Sequence, residues 1–104
     1  MIVVTSSFIV EKKIVKTIGL VRGNTIRARN LGKDILAGLK NIVGGEIEEY
    51  TKLMAEAREQ ALDRLVASAE ALGANAVIDL RVTTSYIMGM ASEILVYGTA
   101  VVVE

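Results

Sequence analysis

A chain of 104 residues implies a single domain (1–104) with a modest hydrophobic core. The complete lack of cysteine and histidine excludes disulfides, thiol catalysis, iron–sulfur clusters, thiolate and imidazole metal ligands, and the usual general base near neutral pH. Hydrophobic residues make up 52% of the chain and aromatics only 4%, at a formal net charge of zero; a small domain this aliphatic is expected to bury its surplus against copies of itself.

Residues 2–5 form a short strand candidate. The apolar run Met1-Ile2-Val3-Val4 is cut off at once by Thr5, Ser6 and Ser7, so it reads neither as a signal peptide nor as a membrane span, and the expected location is cytoplasmic. Residues 13–21 are rich in β-branched side chains and predict a better strand, in which Gly19 marks a bulge or close backbone approach, or is merely tolerated. Arg22-Gly23-Asn24-Thr25 predicts a turn, and residues 26–29 a short extended piece. Asn30 can then cap a short helix whose apolar positions Leu31, Ile35, Leu39 and Ile42 step by three and four, ended by Gly44-Gly45.

The stretch 46–72 predicts one long helix. Ile47, Tyr50, Met54, Ala57, Ala61, Leu65, Ala69 and Leu72 share a face, widened by Leu53, Leu62 and Val66. Glu46, Glu48 and Glu49 suit the positive end of the helix dipole, and Gly73 can adopt the left-handed conformation that ends a helix. At ~1.5 Å per residue such a helix is ~40 Å long, more than one small sheet covers. Beyond Gly73 the period changes to two: Ala76, Ile78, Leu80 and Val82 alternate with Asp79, Arg81 and Thr83, placing Asp79 and Arg81 on one face as a pair. Residues 86–92 predict a hairpin loop, and residues 93–103 a last strand with two apolar faces: Ile94, Val96, Ala100 and Val102 on one, Leu95, Tyr97, Val101 and Val103 on the other. One helix layer covers one face, so Leu95, Tyr97, Val101 and Val103 are expected at an oligomer interface. The resulting fold class is α+β, with a three-stranded antiparallel sheet packed by one long helix plus a short one.

Zero net charge hides an asymmetry. Residues 1–45 carry eight Lys/Arg against Glu11 and Asp34, a net of +6; residues 46–104 carry four against ten acids, a net of −6. The halves attract each other within or between subunits. Nucleic acid is not an expected partner, because the acidic half repels its backbone and no aromatic residue is interleaved with Arg22, Arg27, Arg29 and Lys33; that basic cluster pairs more readily with the acidic face of a neighbouring helix. No membrane partner is expected either.

Gly19-Leu20-Val21-Arg22-Gly23, the segment 37–45 (AGLKNIVGG), Tyr50, Ala57-Arg58, Leu72-Gly73-Ala74-Asn75-Ala76 and Gly98-Thr99-Ala100-Val101 together resemble the YbjQ-like family of small bacterial and archaeal proteins, labelled "putative heavy-metal-binding". The resemblance spans nearly the whole chain. It implies a two-layer subunit similar in outline to the dodecin subunit, assembled into a ring-like homopentamer, and it implies metal binding.

The residues themselves offer few sites. Soft heavy metals prefer thiolate or imidazole, both missing here, and Met54, Met88 and Met90 suit packing better than ligation. Glu56, Glu59 and Asp63 share a helix face and supply oxygens for a possible hard divalent metal, although such stripes are commonly solvated surface. No other cofactor is predicted. For a small ligand such as an anion, the groups are Asn41, the amides of Gly44 and Gly45, Tyr50, and Arg58 from a neighbouring subunit. The expected function is a homo-oligomeric binding or scaffold protein without catalysis. A metal-binding protein with oxygen ligands is one alternative, and an enzyme at a subunit junction using carboxylates with Arg58 or Tyr50 is the other.

Overall fold

The computed structural model describes the backbone of residues 1–28, 45–87 and 91–104, with side chains for 1–26, 51–86 and 92–104. The elements are β1 (Ile2–Val3), β2 (Ile14–Ala28), α1 (Gly45–Ala71), β3 (Ala76–Ile87) and β4 (Ala91–Val103). The expected short helix through Leu31 and Leu39 lies outside the described residues. The four strands form one sheet in the order β1-β3-β4-β2. β4 is antiparallel to both neighbours, but β1 runs parallel to β3, with Ile2 beside Ala76 and Val3 beside Val77. The sheet is therefore mixed and four-stranded, which corrects the expectation of three antiparallel strands. The short N-terminal strand is held by backbone bonds from Ile2 N–H to the Asn75 carbonyl (3.3 Å) and from Val4 N–H to the Val77 carbonyl (2.9 Å), across a crossover no local pattern reveals.

α1 matches the helix read from periodicity and stops as its end signal requires. Gly73 has φ 87°, its N–H donates to the Glu70 carbonyl (3.0 Å), and the Ala74 N–H donates to the Ala69 carbonyl (3.0 Å). This is the paired 5→2 and 6→1 bonding of a glycine-terminated helix, with Ala69 and Ala74 both buried. Ala57, Ala61, Leu65 and Ala69, each one turn apart, form the buried stripe and pack with Val21, Val77, Ile94, Val96 and Ala100. Leu72, at the end of the same stripe, is exposed.

The turn expected at residues 22–25 does not form, because β2 runs straight through it. Gly23 instead marks the place where α1 comes down on the sheet. A Cβ there would overlap the Ala61 carbonyl oxygen and stand 2.5 Å from the Leu65 nitrogen. Small residues on both sides let the two backbones touch, and the buried Thr25 hydroxyl donates to the Ala57 carbonyl at 3.0 Å. Gly19, at φ 137°, sits at a register irregularity of β2, as its bulge reading anticipates.

β3 also departs from simple alternation. Its register against β4 passes from Ile78↔Thr99 to Arg81↔Tyr97, so Asp79 and Leu80 together oppose Gly98, and Asp79 takes φ 54°. Such a bulge shifts every later side chain to the other face. Ala76 and Ile78 accordingly pack with Val101 and Val103, while Leu80 joins the helix-side core. A Cβ on Gly98 would come within 2.8 Å of Val77 Cγ1 and 3.0 Å of the Ile78 carbonyl oxygen, so the bulge is built over a glycine.

The sheet has a second core on the side away from α1. Ala76, Ile78, Val101 and Val103 are covered there by Ile2, Val4, Ile9 and Ile14 of the same chain. The N-terminal segment thus supplies, for half of β4, the cover expected from another subunit. The side chain of Asn75 locks this end by donating to the Val103 carbonyl (2.9 Å) and accepting from the Val103 N–H (2.8 Å).

Candidate functional site

The sequence-read candidates fall into three places. Asn41 and Gly44 lie outside the described residues, as does the Tyr50 side chain, while Gly45 is the first residue of α1. Arg58 stands on the exposed side of α1, about 20 Å along the helix from Gly45 at ~1.5 Å per residue, so only an Arg58 of another copy can approach that corner. Glu56, Glu59 and Asp63 are each exposed on α1. Leu95 and Tyr97 are half-buried on the outer face of the sheet, whereas Val101 and Val103 are buried within the second core.

Among the described residues, nothing packs over Leu20, Arg22, Asn24 and Ile26 on the outer face of the sheet, opposite α1, and all four are exposed. Register places Arg22, Tyr97 and Arg81 in one row, with Asn24, Leu95 and Thr83 in the next. Leu20 and Ile26, on the same face of β2, are 70% and 60% exposed. Asn24 Nδ2 donates to Glu93 Oε2 at 3.4 Å, and the Asn24 carbonyl accepts from Arg64 Nη1 of α1 at 2.6 Å.

A polar cluster that the alternation pattern did not reveal sits beside this face, at the bulge. Ser7 Oγ donates to Asp79 Oδ1 (2.7 Å), Asp79 N–H donates to the Ser6 carbonyl (3.0 Å), and Arg81 Nη1 donates to the Thr5 and Leu80 carbonyls (3.0 and 2.7 Å). Asp79 and Arg81 therefore fasten the N-terminal segment separately instead of forming the pair expected from their spacing. The left-handed Asp79 breaks the two-residue period that would have placed them on one face. An aspartate inside an otherwise β-branched run was the available signal, since Asp tolerates that conformation.

Residues 1–104 match the family model described as "Putative heavy-metal-binding". The chain is 56% identical to a UPF0145 protein of Dehalococcoides mccartyi, covering all of both chains. It is 54% identical to a UPF0145 protein of Methanosarcina acetivorans, covering 97% of this chain and 95% of that one. It is likewise 54% identical to one of Pyrococcus abyssi, at 99% and 90% coverage. A solved structure from Pediococcus pentosaceus, a DUF74-family protein of unknown function, shares the fold with a TM-score of 0.70 at 16% identity, covering 100% of this chain and 98% of that one.

The donor set does not fit the heavy metal in the family description. The chain has no thiolate or imidazole to offer, and among the described residues no three acidic side chains gather where they could hold an ion. Among the described residues, no helix is long and apolar enough to cross a membrane.

Proposed function

The chain belongs to the YbjQ-like family, and on that premise we propose that it is a cytoplasmic, self-associating binding or scaffold protein that performs no catalysis and forms the pentameric ring its family resemblance implies. One observation carries this reading. Both cores of the protomer are filled by its own residues, yet Leu20 and Ile26 still project from the outer face beside half-buried Leu95 and Tyr97. Apolar side chains grouped on one sheet face are costly in water and are relieved by a second protein surface. The +6 and −6 halves of the chain add attraction between copies. A ligand would then sit at a junction, near Gly45, Tyr50 and the Arg58 of a neighbour.

Native mass spectrometry of protein purified without chelator tests the proposal. The expected result is a pentamer, and a reproducible extra mass would identify what it carries. A monomer at micromolar concentration refutes the reading.

A further inference from the structure

The second core is closed by a segment that holds on lightly. Within residues 1–13, Ile2, Val4 and Ile9 cover Ala76, Ile78, Val101 and Val103, and Val3 reaches the helix-side core, yet each of these covering side chains is only partly buried. Regular pairing with β3 is limited to Ile2 and Val3. Residues 5–8 and 10–13 are exposed. By contrast β4, which carries Val101 and Val103, is paired with β2 on one side and β3 on the other. Detaching the segment breaks few bonds and leaves the pairing of β4 in place.

What holds the segment is concentrated at the β3 bulge. Asp79 N–H donates to the Ser6 carbonyl at 3.0 Å, and Asp79 Oδ1 accepts from Ser7 Oγ at 2.7 Å. Arg81 Nη1 donates to the Thr5 carbonyl at 3.0 Å, and Leu80 N–H to the Val4 carbonyl at 3.1 Å. The left-handed Asp79, at φ 54°, thus supplies a donor to Ser6 and an acceptor to Ser7. Both side-chain bonds are exposed, so water competes for their donors and acceptors, and each is worth about a factor of five in an equilibrium.

We propose that residues 1–13 form a strap that opens as one unit while the rest of the protomer stays folded, with the Ser7–Asp79 bond as its catch. Segments with few buried apolar contacts and exposed hydrogen bonds open in this way. Opening bares Ala76, Ile78 and Val101 and releases the β3 backbone from Asn75 to Leu80. The open protomer then presents an apolar strip and a strand edge that the closed one hides. The inference stands independently of self-association.

The chain contains no cysteine, so a single introduced thiol reports its own exposure without background. Val101→Cys places one in the second core and Val96→Cys one in the helix-side core; both positions lie on β4, at 0% and 1% exposure. Each full-length variant is labelled with a thiol-specific reagent in native buffer at one protomer concentration. The Val101→Cys protein is expected to react at least tenfold faster than the Val96→Cys protein. Adding Ser7→Ala should speed the Val101→Cys reaction about fivefold. Adding Thr25→Ala deletes a bond to Ala57 that the open strap leaves intact, so it should speed Val96→Cys and leave Val101→Cys unchanged. In the wild type, the Val4 and Leu80 amides should exchange at least tenfold faster than the Val96 amide. Should a cysteine variant unfold, the wild-type exchange data decide alone. Equal reactivity of the two thiols, equal acceleration of both by Thr25→Ala, or Val4 and Leu80 amides as slow as that of Val96 overturns the strap as a separate unit.

Discussion

Replacing Gly23 by alanine probes the contact where the backbone of α1 meets the backbone of β2. The added methyl meets the Ala61 carbonyl oxygen and the Leu65 nitrogen, both helix backbone, so no side-chain rotation can relieve the overlap. α1 must lift from β2, loosening Ala57, Ala61 and Leu65 from Val21 and Val96. Overpacking of this kind reaches the upper end of its usual range, about 3 kcal/mol. For a domain of this size, that lowers the melting temperature by roughly 12–24 °C. Gly73→Ala serves as the reference, because a Cβ there meets nothing within 4 Å and only the positive φ opposes it. It should cost about 1 kcal/mol, or roughly 4–8 °C. Both are read by calorimetry at one protomer concentration, since association couples to stability. A Gly23→Ala protein that melts as high as Gly73→Ala would mean that the helix is not seated at Gly23.

Three further outcomes follow from the same placements. Val101→Asp buries an unpaired carboxylate in the second core and should unfold the protomer, at about 4 kcal/mol or more. Leu95→Asp, half-buried on the outer face, should leave circular dichroism intact, and a well-folded Val101→Asp protein would contradict the second core. Asp79→Val forces a β-branched residue to φ 54° and removes the acceptor for Ser7, for a combined loss of about 2–3 kcal/mol in urea unfolding. An unchanged midpoint would place the bulge elsewhere. Zinc or cadmium should leave the melting temperature unmoved, whereas binding at a hundred times Kd would add about 2.7 kcal/mol of stability and refute the donor-set argument.

The candidate site was legible mainly as chemistry withheld. No arrangement of the fold can supply a thiolate or an imidazole that the chain does not contain. The surface assigned to oligomerisation proved divided. Leu95 and Tyr97 stay at the surface, but Val101 and Val103 are covered by Ile2, Val4, Ile9 and Ile14 of their own chain. Alternation along β4 shows that both faces are apolar without showing what lies over each, because the covering segment is some ninety residues away in the chain.

By itself the sequence determined α1, its glycine stop, the β3–β4 hairpin and the exclusion of soft-metal and thiol chemistry. These depend on interactions within a few turns of chain, or on composition, and both can be read directly. Tertiary structure decided the rest. Gly23, whose sequence neighbourhood suggests a turn, is the point where helix meets strand. Asp79 turns the strand over, so residues two apart face different cores. The N-terminal strand joins the sheet in parallel beside β3. Each outcome turns on which distant backbone comes to lie alongside, and register between distant strands is set by the packing of the whole sheet, not by the residues that flank it.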